Sequence, residues 1–225
     1  MVATLLPDAL IFDLDGTIVD TEVSEFGAIK AVWAEHGLHY TPALYEGHIG
    51  TVSRGDAWLD ELAAAYGRPI DIAAAEATRR TMHRAITAEL RARPGIVQLI
   101  EDAAVAGVPM AIASNSPEWW VIARLEALDL QHHFPVTVSI DTASRPKPDP
   151  APFLEACAAL GAQPRMSVAF EDSLPGVAAA VAAGLYTVAC AGELNPHHDL
   201  SAAQRVVSSH DEISLTELGR AVRGS

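Results

Sequence analysis

Five short stretches of the chain are nearly continuously apolar rather than alternating: ALIFDLD (9–15), PMAIASN (109–115), VTVSI (136–140), SVAFED (167–172) and YTVAC (186–190). Such runs mark strands covered on both faces, as in a parallel sheet. Amphipathic or Ala-rich helical patterns lie between them, for example over 96–106 and 117–128, which gives a β-α-β-α order. The expectation is an α/β fold whose core is a doubly wound, Rossmann-like parallel sheet. One interval breaks the rhythm: from 20 to 91 there are only helical patterns rich in Ala, Glu, Leu and Arg, and Pro94 and Gly95 punctuate the return to alternation. We therefore expect residues 1–19 and 92–225 to form the core, with residues 20–91 inserted as an α-helical cap domain over the end of the first strand.

Composition narrows the partners. At 225 residues, half of them apolar, the chain can bury a good core in one domain carrying an insertion. Its formal net charge of -14 repels nucleic acid and anionic membranes, so neither is expected as a partner. An anionic ligand would have to be met by local positive charge. The two cysteines, Cys157 and Cys190, sit in apolar surroundings and suggest neither a disulfide framework nor a zinc site. The start, MVATLLPDAL, has no basic segment ahead of its apolar residues, and the longest apolar run, 177–192, is broken by Gly184. A cytoplasmic protein is expected, as a monomer or a small homo-oligomer.

The end of the first strand poses the chemical question. Asp13 and Asp15 lie one residue apart, about 6 to 7 Å along an extended backbone, and strand alternation would turn both to one side. A polar turn is the plain explanation. Ligands of open α/β sheets, however, bind outside the carboxyl ends of the strands. At those ends this chain also carries Ser114 and Asn115, Asp141, and Glu171 with Asp172, while Lys147 stands on the Pro-rich loop RPKPDPAP. Carboxylates converging on one crevice repel each other unless a cation joins them, and Mg²⁺ suits a few hard oxygen ligands that leave room for water and phosphate. Lys147 is one of only two lysines, with Lys30, among fifteen basic residues, which fits a compact point charge being wanted there.

The segments DLDGTIVD, IASNS, RPKPDP and FEDSLPG, in this order, resemble the four signature motifs of the haloacid dehalogenase superfamily. The helical segment after the first resembles the cap of its β-phosphoglucomutase-like and phosphoglycolate-phosphatase-like branch. The resemblance implies an Mg²⁺-dependent phosphatase of a small phosphorylated metabolite, expected to be a sugar phosphate. It makes Asp13 the nucleophile that becomes an aspartyl phosphate, and Asp15 the acid for the leaving alkoxide and then the base for water. Asp13, Asp15 (through its backbone carbonyl), Glu171 and Asp172 would hold the metal. Ser114 and the amide of Asn115 would bind phosphate oxygens, and Lys147 would neutralise charge between phosphoryl group and nucleophile. Gly16 would let the backbone approach the phosphate, assisted by the amide of Thr17. A true dehalogenase needs no proton donor at Asp15, and no GxxxxGK loop supports a nucleotide triphosphatase.

Substrate choice is expected in the cap. TVSRGDA (51–57) resembles the stretch that sets an arginine over the substrate in sugar-phosphate members, which implies a role for Arg54; as an exposed arginine it reads equally as solvated. Arg79 and Arg80 would add positive charge, although a charged helix face is ordinarily only solvated. Thr21 and Glu22, past the hinge, would meet the substrate's sugar or polyol part. Ser116 is expected to cap, and Pro117 to start, a helix in which one of Trp119 and Trp120 is core and the other edges the crevice. The pairs His132–His133 and His197–His198 lack partner ligands and read as loop histidines. Two alternatives remain. One is a β-phosphoglucomutase-type hexose-phosphate mutase, whose relatives carry a histidine where this chain has Ser24 and Glu25. The other is a non-catalytic phosphate-ligand-binding module, which would be expected to lose Asp13 or Asp15.

Overall fold

The computed structural model describes residues 5–45, 57–192, 194 and 198–224. Among them, six parallel strands form one sheet in the order β3-β2-β1-β4-β5-β6. They are β1 (Leu10–Phe12), β2 (Met110–Ala113), β3 (Val136–Val138), β4 (Val168–Glu171), β5 (Tyr186–Cys190) and β6 (Arg205–Val207). Five coincide with the apolar runs. The sixth, RVV, has no such signature because it lies at the sheet edge, with Val206 exposed and Val207 buried.

Successive residues of β1 point to opposite faces, and each face has its own cover. Leu10 and Phe12 enter a cluster with α5 (Ile96–Val105), α6 (Glu118–Ala127) and α9 (Leu215–Arg223). Ala9 and Ile11 pack instead with α7 (Ala151–Leu160) and α8 (Leu174–Ala182). The Phe12 and Phe170 rings stack at 4.6 Å between β1 and β4. Helices on both faces bury these strands, which is why the runs are nearly continuously apolar, Thr137 and Thr187 being exceptions.

Between Thr21 and Leu90 the described residues form only helices: α1 (Glu22–Glu35), α2 (Pro42–Tyr45), α3 (Ala57–Tyr66) and α4 (Ile72–Glu89). Their buried residues, among them Val32, Trp33, Tyr45, Trp58 and Leu62, make a cluster separate from the two that flank the sheet. The chain leaves and re-enters the sheet region side by side. Val19 bridges Ala92 in antiparallel fashion, and the amide of Arg93 donates to the carbonyl of Ile18 at 2.8 Å.

The strand order reverses direction at β1. The chain steps from β1 through β2 to β3 on one side, then crosses to β4 on the other. The register sets Phe12 beside Ile112 and Phe170, so the residues just past these strand ends lie level with one another. A crevice at such a switch point is where α/β sheets bind ligands.

Candidate active site

Asp13, Glu171, Asp172 and Lys147 converge at that point. Asp13 follows β1 directly, and its amide donates to the carbonyl of Phe170 at 2.9 Å, which fixes it against β4. Glu171 is the last residue of β4, and Asp172 comes next. All four side chains are buried, at 7 %, 0 %, 3 % and 4 % exposure respectively. The Lys147 ammonium donates to Asp13 Oδ1 and to Glu171 Oε1, each at 2.5 Å.

Neighbouring groups hold each member in place. Asn115 clamps the Lys147 backbone from both sides: its Oδ1 accepts from the Lys147 amide at 2.9 Å and its Nδ2 donates to the Lys147 carbonyl at 3.1 Å. Glu171 Oε2 accepts from the Asp172 amide at 3.1 Å and from the Ser173 hydroxyl at 3.1 Å. Gly176 sits in the first turn of α8 because a Cβ there would lie 2.0 Å from the Glu171 carboxylate. Gly16 has φ of +86°, and a Cβ there would lie 2.1 Å from Asp172 Oδ2.

Burial and crowding dictate the electrostatics. Burial, aided by the nearby charges of Glu171 and Asp15 and opposed by Lys147, pushes the Asp13 carboxyl up to about 8. Asp172 is likewise raised well above the ordinary carboxylate range by burial, then by Glu171 and Asp13. Burial alone would lower Lys147, but Asp13 and Glu171 outweigh it and raise the ammonium's pKa. Three carboxylates, with oxygens all within 4.8 Å of one another, thus face one ammonium. This oxygen-only, acid-rich donor set fits a hard divalent cation, which would complete the charge balance.

Asp15 is held quite differently. The strand ends at Phe12, so a turn rather than strand alternation orients it. Its Oδ1 accepts from the Thr21 hydroxyl at 2.6 Å and the Trp120 indole at 2.9 Å, and its Oδ2 from the Ser116 hydroxyl at 2.5 Å. All three donors are neutral, and the carboxylate stands at the rim of the crevice.

The remaining expected residues divide. Ser114 is buried at the end of β2, where its hydroxyl accepts from the Ser116 amide at 3.0 Å. The Thr17 amide serves the turn, donating to Leu14 at 3.3 Å, while its hydroxyl reaches Asp172 Oδ1 at 3.5 Å. Glu22 accepts from the Tyr45 hydroxyl at 2.5 Å. Asp141 Oδ2 accepts from the Glu118 amide at 2.8 Å, so it serves the start of α6. Ser116 does not cap that helix: Pro117 occupies the N-cap and the Ser116 hydroxyl turns to Asp15. Trp120 is the tryptophan that packs on the core edge while reaching the site, and Trp119 stands 67 % exposed. Cys157 and Cys190 are free and buried. Arg54 and His197 lie outside the described residues.

Arg93 and Ser173 support the site although the sequence reading does not single them out, and Ser116 does so in another role than the cap expected of it. The Arg93 guanidinium donates to the carbonyl of Gly16, to Cys190 O at 2.9 Å and to Ala191 O at 2.8 Å, tying the turn after β1 to the end of β5. In a chain that uses Arg throughout, nothing marks this one. Ser173 carried a signal, since Ser ahead of LPG is an N-cap pattern, and its hydroxyl accepts from the Gly176 amide at 3.2 Å. A glycine inside an otherwise Ala-rich helix is a further signal, because alanine would favour the helix there.

The chain resembles known proteins over most of its length. A family model of haloacid dehalogenase-like hydrolases matches residues 10–190. A phosphorylated carbohydrates phosphatase of Thermotoga maritima is 31 % identical over 188 residues, covering 79 % of this chain and 82 % of that protein. Among solved structures, a HAD family hydrolase from Deinococcus radiodurans with bound phosphate and sodium superposes with a TM-score of 0.80 at 29 % identity, covering 96 % and 97 % of the two chains. CbbY from Rhodobacter sphaeroides in complex with xylulose-(1,5)bisphosphate gives a TM-score of 0.72 at 27 % identity, covering 93 % and 97 %.

Proposed function

Since the chain belongs to the haloacid dehalogenase-like hydrolases and is a phosphatase, we propose that it hydrolyses a small sugar phosphate, with Mg²⁺ as cofactor and Asp13 as nucleophile. The observation that carries this reading is the contrast between two acids two residues apart. Asp13 is buried against Lys147 and Glu171, whereas Asp15 is aimed by three neutral donors at the crevice rim.

Asp13 attacks phosphorus, the phosphorus–oxygen bond to the sugar breaks, and Asp15 gives its proton to the departing alkoxide. Water then attacks the aspartyl phosphate, Asp15 takes a proton from it, and the bond from phosphorus to the Asp13 oxygen breaks. Inorganic phosphate leaves and the Asp13 carboxylate is restored. Lys147 offsets charge beside Asp13, while Ser114 and the amide of Asn115 receive phosphate oxygens. Asp13, the Asp15 carbonyl, Glu171 and Asp172 would hold Mg²⁺, which supplies charge neutralisation at the phosphoryl group.

Residues 20–91 act as the cap and residues 1–19 with 92–225 as the catalytic core. The separate apolar cluster and the adjacent exit and re-entry at Val19 and Ala92 support that division. Thr21 already touches Asp15, and Glu22 and Arg54 would meet the sugar from the cap side. No helix among the described residues is long and apolar enough to cross a membrane.

Phosphate release from p-nitrophenyl phosphate and a panel of sugar phosphates, with and without Mg²⁺, tests the proposal. We expect Mg²⁺-dependent turnover that falls by about 10³-fold or more in Asp13→Asn. Equal activity in the variant, or indifference to Mg²⁺, would sink it. Turnover of β-glucose 1-phosphate to glucose 6-phosphate in place of phosphate release would favour the mutase.

A further inference from the structure

A cavity of about 310 Å³ lies between α4 and the start of α6. From the cap side it is lined by Arg79, Arg80, His83 and Arg84, and from the core side by Ser116, Pro117, Trp119 and Trp120. Two of its walls are the donors on Asp15: Ser116 holds Oδ2 at 2.5 Å and Trp120 holds Oδ1 at 2.9 Å. The cavity is thus one hydrogen bond away from the group that protonates the departing alcohol.

Its chemistry is uneven in an instructive way. Arg79 is neutralised by Glu25 at 2.9 Å and shares Glu76 with Arg80, at 3.2 Å and 3.3 Å. Glu25 and Glu76 together thus balance Arg79 and Arg80, and Arg84 makes no ion pair among the described residues. Positive charge is left over here in a chain whose net charge is -14. Opposite it, Trp119 lines the cavity and is 67 % exposed, with its ring edge-on to Trp120 at 83°. An exposed tryptophan beside an arginine that makes no ion pair suits a ligand that is flat or apolar at one end and anionic at the other.

We infer that this cavity is the leaving-group subsite, taking a phosphomonoester whose alcohol carries a planar or apolar body against Trp119 and a second anionic group against Arg80 and Arg84. The inference rests on the phosphatase reading, and it extends that reading from the transferred phosphoryl group to the rest of the substrate. The second anionic group is a carboxylate or a phosphate; both match a guanidinium fork.

Matched synthetic substrates test it: phenyl phosphate, 4-(carboxymethyl)phenyl phosphate and 4-(phosphonomethyl)phenyl phosphate, which share nearly the same phenol leaving group. In the full-length protein with Mg²⁺ we expect at least one charged substrate to exceed phenyl phosphate about 10-fold in kcat/KM. Arg84→Ala and Arg80→Ala should bring that ratio to near one, and Arg84→Lys should restore part of it. Trp119→Ala should lower all three substrates relative to glycerol 1-phosphate, with Trp119→Phe retaining most of the preference. The carboxylate and phosphonate arms identify which anion fits. Wild-type ratios near one, or ratios that survive Arg84→Ala and Arg80→Ala, overturn the subsite. Failure of the wild type to hydrolyse any of these or any sugar phosphate overturns the phosphatase reading itself and the subsite with it.

Discussion

The ends of β1 and β4 and the crevice between α4 and α6 treat charge in opposite ways. At the strand ends, Lys147, Asp13, Glu171 and Asp172 are buried together, each fixed by backbone register, a clamp or a glycine that makes room. In the crevice, Arg80 and Arg84 are exposed and their surroundings are aromatic. Buried charges depend on one another, so any change propagates, whereas exposed charges act singly and are screened. The difference separates a region fit for invariant chemistry from one fit for selecting a substrate.

Breaking the buried side should have the largest effect. Lys147→Met removes the sole ammonium from a cluster of three carboxylates, and we expect a loss of about 3 to 5 kcal/mol in urea unfolding without metal, since a broken buried pair leaves uncompensated charge. Mg²⁺ should return part of it. If the variant unfolds at the wild-type urea concentration, the cluster is not interdependent.

His210 gives a sharper comparison, because it is buried without becoming charged. Burial, then the field of Arg93, lowers its pKa to about 4 from the ordinary 6.5. The unfolded chain therefore binds the proton first: stability is complete above pH 6.5 and is lost as pH falls toward 4. The full loss is about 3 kcal/mol. Urea unfolding at pH 7, 6 and 5 should show it, and His210→Gln should flatten the profile over that range.

Smaller effects should follow from geometry alone. Gly176→Ala forces a methyl against Glu171, and Mg²⁺ affinity measured by titration should weaken about 10- to 100-fold, the usual scale for disturbed metal-site supports. Because alanine favours the helix, unchanged affinity with raised stability would show that Glu171 relaxes freely. At the rim, Trp120→Phe removes one neutral hydrogen bond from Asp15. We expect kcat to fall about 10-fold, equivalent to roughly 1.4 kcal/mol, while KM and unfolding change little. A loss confined to KM would assign Trp120 to binding.

Much of this was legible beforehand, for reasons that differ by region. The continuous apolar runs announced five of the strands because both faces of the sheet are covered, and the helical interval stood out by lacking such runs. RVV escaped because its three residues include a charged Arg205 and an exposed Val206, which leaves no apolar run to mark it. The motif acids were legible because they sit at strand ends, where topology brings them together. Arg93 was not, since a guanidinium that binds only backbone carbonyls leaves no pattern in the sequence. Ser116 was misread as a cap, because a hydroxyl ahead of a helix serves whichever partner the fold brings nearest, and here that is Asp15.

By itself, then, the amino-acid sequence determined the parallel sheet, the place of the helical interval after its first strand and the acids and lysine that meet at its switch point, because hydrophobic periodicity and strand-end position are local properties of the chain. Only the tertiary structure decided which acid is buried against Lys147 and which is aimed by Thr21, Ser116 and Trp120, and that α4 faces the tryptophans across a cavity. Those outcomes depend on contacts between segments as much as 134 residues apart, and burial and charge pairing exist only once such segments have met.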